Sequence, residues 1–350
     1  MRDVAIVSSA YSAVPKELRY NEVEMIVPVI RQAMAESGLR RDEIGFTCSG
    51  SLDYLQGGPF SFVMGLDAVG AWPPIRESHV EMDGAWALYE AWVRLQHGDI
   101  DTALVFGSGK SSPSDPAALW PQQLDPYTLA PLGVDPVSLA ALQARALLDR
   151  GLATERDFAE VAARSRRDAL GNPYAQVQGD HEVDDLLAEP YVRDPLRRHD
   201  LPPISDGAVA VVLARGDRAR ALCDRPAWIR GLDHRIEVHQ PGMRDLTESP
   251  STALAARRAG YEGGPLDVAE LSVVFSPQEG ILRRALGIPA ETAVNPSGGP
   301  LAANPVMATG LVRIAEVAAR IADGRADRGL AHATGGQVLQ HNLVCVMEGE

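Results

Sequence analysis

Two carboxylates separated by a single residue stand before an apolar helical stretch in the first third of the chain. Glu81 and Asp83 precede Gly84, and apolar residues then follow at helical spacing. A carboxylate at the mouth of a helix has its pKa lowered by the helix dipole and raised by burial, so either acid could serve as a general base. Each has a structural alternative. Glu81 could cap the helix or pair with an arginine, and Asp83 could be an N-cap residue.

A second group of candidates lies near the end of the chain. His332 ends a predicted strand just before Gly335 and Gly336, whose backbone N–H groups could bind an oxyanion. His332 could equally be an ordinary strand histidine. Asn304 stands before Pro305 at the start of a predicted helix, which is typical of a helix N-cap.

Tyr54 and His239 are candidates for substrate contacts. Tyr54 follows a predicted strand in the stretch SLDYLQGG and could instead be a packed loop aromatic. His239 ends the stretch DHRIEVH, which matches no known metal motif and could simply be a polar loop. We therefore predict no metal site here.

The elements that would carry these residues occur twice, in the same order. In each half a glycine turn is followed by a helix, a Gly-Asp or Asp-Gly pair and a buried strand; the two strands are predicted at 102–106 and 329–333. The second of these helices is predicted at 304–321. A helix followed by a strand precedes each unit, at 22–37 and 44–48 and again at 252–260 and 271–275. This repeated alternation predicts an α/β protein with a duplicated five-layered αβαβα fold.

An insertion rich in Pro, Arg and Asp separates the two units. We predict an N-terminal half at 1–110 and 204–222, a loop region at 111–203 with helices near 136–150 and 155–172, and a C-terminal half at 223–350. An insertion above a rigid sheet is a common place for substrate contacts.

Composition excludes several classes of protein. The net charge of −14 argues against non-specific nucleic-acid binding. Cys48, Cys223 and Cys345 form no CxxC pair, so neither a disulfide framework nor a zinc site is indicated. The first ten residues predict a strand rather than a signal sequence, and no apolar run approaches the roughly 18 residues of a membrane span. We expect a cytoplasmic protein.

Four segments are more specific when taken together. They are ISDGAVAVVLA at 204–214, RDLTESPSTALAARRAG at 244–260, DVAELSVVFSP at 267–277, and VNPSGG at 294–299 followed by NPVMATG at 304–310. In this order they resemble the thiolase superfamily, and within it the sterol-carrier-protein-type thiolases and bacterial lipid-transfer homologues. The resemblance extends over essentially the whole chain.

The resemblance also reveals departures from the family. In thiolases a cysteine at the mouth of the first-half helix attacks the acyl group. Counting back from Gly98 through Gly84 puts Glu81 at that position and Asp83 at a small serine position. The family's GHP histidine falls on Asn304, with one residue deleted before it, and the HDCF-type segment reads SVVF at 272–275. The nucleophile, one base and the oxyanion histidine are therefore all replaced.

Without the cysteine, condensation through an acyl-enzyme lacks a good nucleophile. The same cleft could bind a branched β-hydroxyacyl-CoA, and one base could remove the β-hydroxyl proton so that the Cα–Cβ bond breaks. The base could be Glu81, Asp83 or His332, and the resemblance gives Asn304 the role of amide donor to the thioester oxygen. No cofactor is required, because CoA belongs to the substrate.

Some lipid-transfer homologues without the thiolase cysteines resemble aldolases that shorten steroid side chains. The resemblance therefore implies a retro-aldolase that releases a ketone or aldehyde and a short acyl-CoA. It also implies a homodimer and a small partner subunit with an OB fold and a zinc ribbon. Two alternatives stay open: a non-catalytic acyl-CoA- or lipid-binding subunit of a complex, and a thiolase-type acyltransferase.

Overall fold

Strands and helices alternate along the first half of the chain. The computed structural model describes residues 2–15 and 19–350. The first-half elements are β1 (Val4–Pro15), α1 (Glu22–Ser37), β2 (Phe46–Gly50), α2 (Asp53–Gln56), α3 (Phe62–Val69), β3 (Glu77–Val80), α4 (Gly84–His97) and β4 (Thr102–Lys110). Helix α1 has the bounds that the sequence predicts, because Asn21 forms a capping box with Glu24 and Gly38 ends the helix in the left-handed conformation.

The insertion is largely helical and leads back into the sheet. Its elements are α5 (Pro116–Leu119), α6 (Pro136–Asp149), α7 (Glu155–Asp168), α8 (Val183–Leu187), β5 (Tyr191–Arg193) and β6 (Leu196–Arg197). The chain then forms β7 (Ser205–Arg215) and α9 (Gly216–Leu222). The two helices predicted in this region are both present.

The second half repeats the alternation of the first. Its elements are β8 (Ala227–Ile236), α10 (Pro250–Arg258), β9 (Val268–Leu271), α11 (Gln278–Leu286), β10 (Ala293–Val294), α12 (Gly299–Ala302), α13 (Thr309–Ala322), β11 (Arg328–Gly335) and β12 (His341–Glu348).

Strand order makes the duplication explicit. Ten strands form one mixed sheet in the order β10-β9-β11-β12-β8-β1-β7-β4-β2-β3. Outward from the short β1–β8 contact, the first half runs β1-β7-β4-β2-β3 and the second runs β8-β12-β11-β9-β10. In both halves the first two pairings are antiparallel and the last two are parallel. The two halves therefore share one topology.

Helices complete the layers. Helices α4 and α13 contact each other between the two halves of the sheet, with α4 against β2 and β4 and α13 against β9 and β11. Helix α1 packs on β1 and β7, and α10 packs on β8 and β12. Helix α4 is buried on several sides, with Ala85, Leu88 and Ala91 fully enclosed, as expected for the middle layer. The predicted α/β architecture is confirmed.

Several predicted element boundaries differ from the structure, and two of the differences change the path of the chain. Helix α13 begins at Thr309. Before it, Pro305 forms an isolated bridge with Ser205, and the chain then turns, with Met307 in the left-handed conformation and the Ala308 N–H donating to the Pro305 carbonyl at 2.9 Å. This segment crosses the sheet at a glycine, which leaves room for its backbone. A Cβ on Gly109 would lie 1.5 Å from the Val306 carbonyl oxygen. The strand predicted at 271–275 instead ends at Leu271, where Val273 N–H donates back to the Leu271 carbonyl and turns the chain.

Among the described residues, no helix combines the length and the apolar character that crossing a membrane requires.

Candidate active site

Asp83 joins the N-termini of the two central helices. It is the N-cap of α4, and its Oδ1 accepts the Ala85 N–H at 2.9 Å. The same carboxylate accepts N–H groups from the first turn of α13, from Gly310 to Oδ2 at 2.8 Å and from Leu311 to Oδ1 at 3.0 Å. Burial raises the pKa of Asp83, and the three N–H groups oppose that rise. The N-cap alternative is confirmed, and both carboxylate oxygens are already engaged.

Glu81 lies on the other side of this turn, toward the surface. Its Oε1 accepts the Asp53 N–H at 2.7 Å, so it binds the first turn of α2 rather than capping α4. Its Oε2 lies 3.4 Å from Nε2 of His79. The basic side chain next to Glu81 is thus a histidine, where the sequence suggested an arginine. His79 in turn reaches the Ser49 hydroxyl through Nδ1 at 3.0 Å and stacks on the ring of Phe62.

Tyr54 lies near Glu81. It follows Asp53 in α2, next to the N–H that Glu81 accepts, and 54% of its surface is exposed. It is therefore an exposed helical residue and not the packed loop aromatic of the alternative reading.

Asn304 is buried between the two halves. Its backbone N–H donates to the Ser205 hydroxyl at 3.0 Å, and its Oδ1 accepts from the Thr309 hydroxyl at 2.8 Å. The N-cap interpretation of Asn304 is wrong, because α13 starts five residues later and is capped from outside by Asp83. Its amide nitrogen has no acceptor within residues 2–15 and 19–350 and is the group left to serve as a donor.

His332 lies inside β11 rather than at its end. It is fully buried, and its Nε2 lies 3.0 Å from Oδ1 of Asn342, while Nδ1 is buried without a partner in the described part of the chain. Burial lowers the pKa of His332 to about 4. The Asn342 amide continues to Ser251 at the start of α10, so His332 faces the outer helical layer and not α4.

Gly335 and Gly336 lie at the opposite face, beside the start of α4. A Cβ on Gly335 would be 3.6 Å from Met82 and 3.9 Å from Trp86. Gly336 has a φ of 69° and is exposed, so a glycine suits this position. The structure thus places Gly335 beside the residues that flank Asp83 and leaves His332 on the other side of the sheet.

Three histidines lie near this turn. His341 begins β12 and pairs with Gly335 across the ladder, and its ring meets Trp86 edge-on, with centroids 6.5 Å apart. His234 in β8 contacts the same Trp86 at 6.4 Å and Tyr89 at 4.7 Å. His239 is exposed and has Nδ1 3.5 Å from the Gln340 amide.

We define the histidine cluster as His234, His239 and His341. The sequence singles out the stretch that holds His234 and His239, but it gives no sign of His341. His341 stands in an ordinary alternating strand, and only the pairing with the Gly335 turn gives it significance. Burial lowers the pKa of His341, and the charges of His234, His239 and Arg244 lower it further. Burial also lowers the pKa of His234. Among the described residues, no group of three or more His, Cys, Asp and Glu side chains is arranged to hold a metal ion.

Comparison with known proteins gives partial sequence matches. No family model matches the chain. It is 30% identical over 229 residues to the acetyl-CoA acetyltransferase of Methanothermobacter thermautotrophicus, covering 58% of each chain. It is 29% identical over 218 residues to sterol carrier protein 2 of Gallus gallus, covering 53% of this chain and 39% of that one. It is 32% identical over 136 residues to the 17-hydroxy-3-oxo-4-pregnene-20-carboxyl-CoA lyase of Mycobacterium tuberculosis, covering 37% and 35%. The chain thus spans between 35% and 58% of the length of these relatives.

Solved structures match over nearly the whole chain. The Ltp2-ChsH2(DUF35) aldolase superposes with a TM-score of 0.80 at 20% identity, covering 99% of this chain and 98% of that chain. Human mitochondrial 3-ketoacyl-CoA thiolase superposes with a TM-score of 0.79 at 14% identity and the same coverage. These likenesses confirm the predicted thiolase-like fold.

Proposed function

Since the chain is a homologue of thiolase-superfamily proteins and has carboxylates where the resemblance places the nucleophile, we propose that it is a carbon–carbon lyase. Its reaction is a retro-aldol cleavage of a branched β-hydroxyacyl-CoA into a ketone or aldehyde and a shorter acyl-CoA. The name of the mycobacterial lyase relative supports a steroid side chain as the substrate.

The observation that carries this proposal is the chemistry at the mouth of α4. The helix starts with Asp83, and the chain's three cysteines lie elsewhere. Cys48 and Cys345 are fully buried in strands, and burial raises the pKa of Cys48 to about 12 and that of Cys345 as well. A thiol with a raised pKa is a poor nucleophile. These features support a reaction without a covalent acyl-enzyme.

The proposed step needs one base and donors for one oxyanion. Removal of the β-hydroxyl proton lets the Cα–Cβ bond break, and the electron pair moves into the thioester enolate. The Asn304 amide and the N–H groups of Gly335 and Gly336 are the proposed donors to the enolate oxygen. A proton delivered to Cα completes the product, so no cofactor takes part.

Homodimer formation through the first half forms part of the proposal. Strand β3 ends the sheet order, and its outer edge carries no strand within the described residues. Apolar side chains are exposed in the preceding segment, including Phe60 at 72% and Trp72 at 80%. An open edge with apolar neighbours favours association. Light scattering should give twice the chain mass of 37.5 kDa, and Phe60→Asp should shift the protein toward monomer.

A second, different subunit is proposed on the resemblance alone. It would be a small protein with an OB fold and a zinc ribbon. The Ltp2-ChsH2(DUF35) aldolase, whose name joins two components, is consistent with such a partner.

The decisive experiment mixes the purified protein with a tertiary β-hydroxyacyl-CoA, with and without the candidate partner, and follows products by mass spectrometry. Release of equal amounts of a ketone and a shorter acyl-CoA is expected. Cys223→Ser, at the most accessible cysteine, should leave cleavage unchanged. Tight acyl-CoA binding without cleavage would instead favour a non-catalytic subunit, an alternative consistent with the fully engaged Asp83. Acyl transfer to free CoA would favour the acyltransferase.

A further inference from the structure

We infer that His341 is the residue that moves the proton in this site, taking it from the β-hydroxyl group and returning it to Cα. The inference rests on the proposed function and adds to it the identity of the base.

The position of His341 carries the argument. It stands opposite Gly335 in the β11–β12 ladder, so its side chain lies beside the turn that offers the proposed oxyanion donors. A Cβ on Gly336 would come 3.1 Å from the His341 ring. On its other side the ring meets Trp86, which lies in the first turn of α4. One imidazole therefore contacts both the glycine turn and the mouth of the central helix.

The other candidate bases are committed elsewhere. Both Asp83 oxygens accept helix N–H groups. Glu81 is occupied by the Asp53 N–H and by His79. His332 is fully buried on the side of the outer helical layer, where its ring contacts Asn342. By contrast, His341 is only partly buried, and no group in the described part of the chain forms a hydrogen bond with its ring nitrogens.

The surroundings of His341 keep the imidazole neutral. The rings of Trp86 and Tyr89 face the cluster from α4, His234 faces it from β8, and the loop after β8 supplies His239 and Arg244. Arg244 is anchored by donating to the carbonyls of Gln337 and Val338 at 3.0 Å each.

Carboxylates act on His234 but not on His341 itself. Asp233, beside His234, forms an ion pair with Arg235, and Glu90 acts on His234. The groups that act on His341 are therefore His234, His239 and Arg244, which lower its pKa together with burial and favour its neutral, basic form at pH 7.

The proposed proton transfer balances without another reactant. Neutral His341 accepts the β-hydroxyl proton, the oxygen lone pair forms the new carbonyl, and the Cα–Cβ electron pair becomes the enolate. The resulting imidazolium protonates Cα and regains its neutral form. His234 lies on the same face of the sheet and also contacts Trp86. We assign it the role of holding Trp86 against the His341 ring, without a part in the proton transfer.

The test compares His341→Gln with the matched control His97→Gln, at an exposed histidine that ends α4. We expect the control to match the parent protein. For His341→Gln we expect kcat to fall about 10²- to 10⁴-fold, the usual effect of losing an acid–base group. Affinity for a β-deoxy acyl-CoA analogue should change less than threefold, and the acidic limb of the kcat/KM profile below about pH 6.5 should disappear.

Two further readouts separate this inference from its premise. Product formed in D₂O should carry deuterium at Cα, and His341→Gln should slow exchange of the Cα hydrogens of the short acyl-CoA as strongly as it slows cleavage. If the parent protein is active and the rates of His341→Gln in cleavage and in Cα exchange stay within threefold of the parent rates, the inference is overturned while the proposed function stands. A parent protein inactive in both assays would overturn the proposed function and the inference together.

Discussion

Replacing Asp83 tests whether one carboxylate holds the two central helices together. Asp83→Ala removes three N–H···O bonds and leaves the N–H groups of Ala85, Gly310 and Leu311 buried without an acceptor. An N-cap alone contributes about 1 kcal/mol, and each buried donor left unsatisfied costs about 1–3 kcal/mol. Part of this loss is offset, because the desolvated charge disappears. We expect Asp83→Ala to lower the free energy of unfolding by about 4 kcal/mol.

Asp83→Asn is the more selective change. The retained oxygen can still accept from Ala85 and Leu311, but the new amide group would face the Gly310 N–H with a donor. We expect a loss of about 2 kcal/mol, roughly the cost of one mispaired buried donor. The matched control is Asp135→Ala, at an N-cap that accepts one N–H, from Ser138 in a single helix. That change should cost about 1 kcal/mol.

Urea unfolding followed by circular dichroism measures all three variants. We call the contact of Asp83 with the N-termini of α4 and α13 the helix clamp. If Asp83→Ala loses no more unfolding free energy than Asp135→Ala, the helix clamp is refuted. An Asp83→Asn variant with unchanged stability and abolished cleavage would also refute it, and would return Asp83 to the role of base.

Two more predictions concern buried positions. Because His332 stays neutral with a pKa of about 4 while an unfolded histidine titrates near 6.5, the unfolded state binds more protons between these values, and stability should fall by about 3 kcal/mol as the pH drops from 6.5 to 4. His332→Gln should remove that part of the pH dependence, and an unchanged slope in urea unfolding would contradict it. Gly109→Ala should destabilise by about 3 kcal/mol or prevent folding, since its Cβ would overlap the Val306 carbonyl, whereas Gly58→Ala has open space and should melt like the parent. Equal melting temperatures for the two glycine variants would count against the close crossing.

Local signals explain why much of the fold was predictable. Helix α1 has the predicted bounds, and its caps Asn21 and Gly38 are its immediate neighbours in sequence. The start of α13 was misplaced for the opposite reason. Asn304 and Pro305 imitate a helix start, but the true acceptor for that helix is Asp83, 227 residues before Gly310. A cap supplied from such a distance leaves no local pattern.

The sequence predicts where the site lies, but not which histidine faces it. The carboxylates at the mouth of α4 and the glycine turn were both identified, and Gly335 does lie beside Met82 and Trp86. His341 could not be ranked, because its neighbours are set by strand register and not by sequence spacing. His332 was overvalued because one strand position decides which face of the sheet a side chain occupies.

The charge balance at the helix clamp has a consequence for what the cleft can stabilise. Each helix N-terminus carries about half a positive charge, so α4 and α13 together present about one unit where they converge. Asp83 supplies one negative charge at that point. The positive field of the two helix N-termini, which could stabilise a thiolate, is therefore cancelled by the Asp83 carboxylate. A substrate in this cleft must keep its reacting carbons uncharged until the bond breaks, and the negative charge that then appears must be met by donors outside the two helix ends.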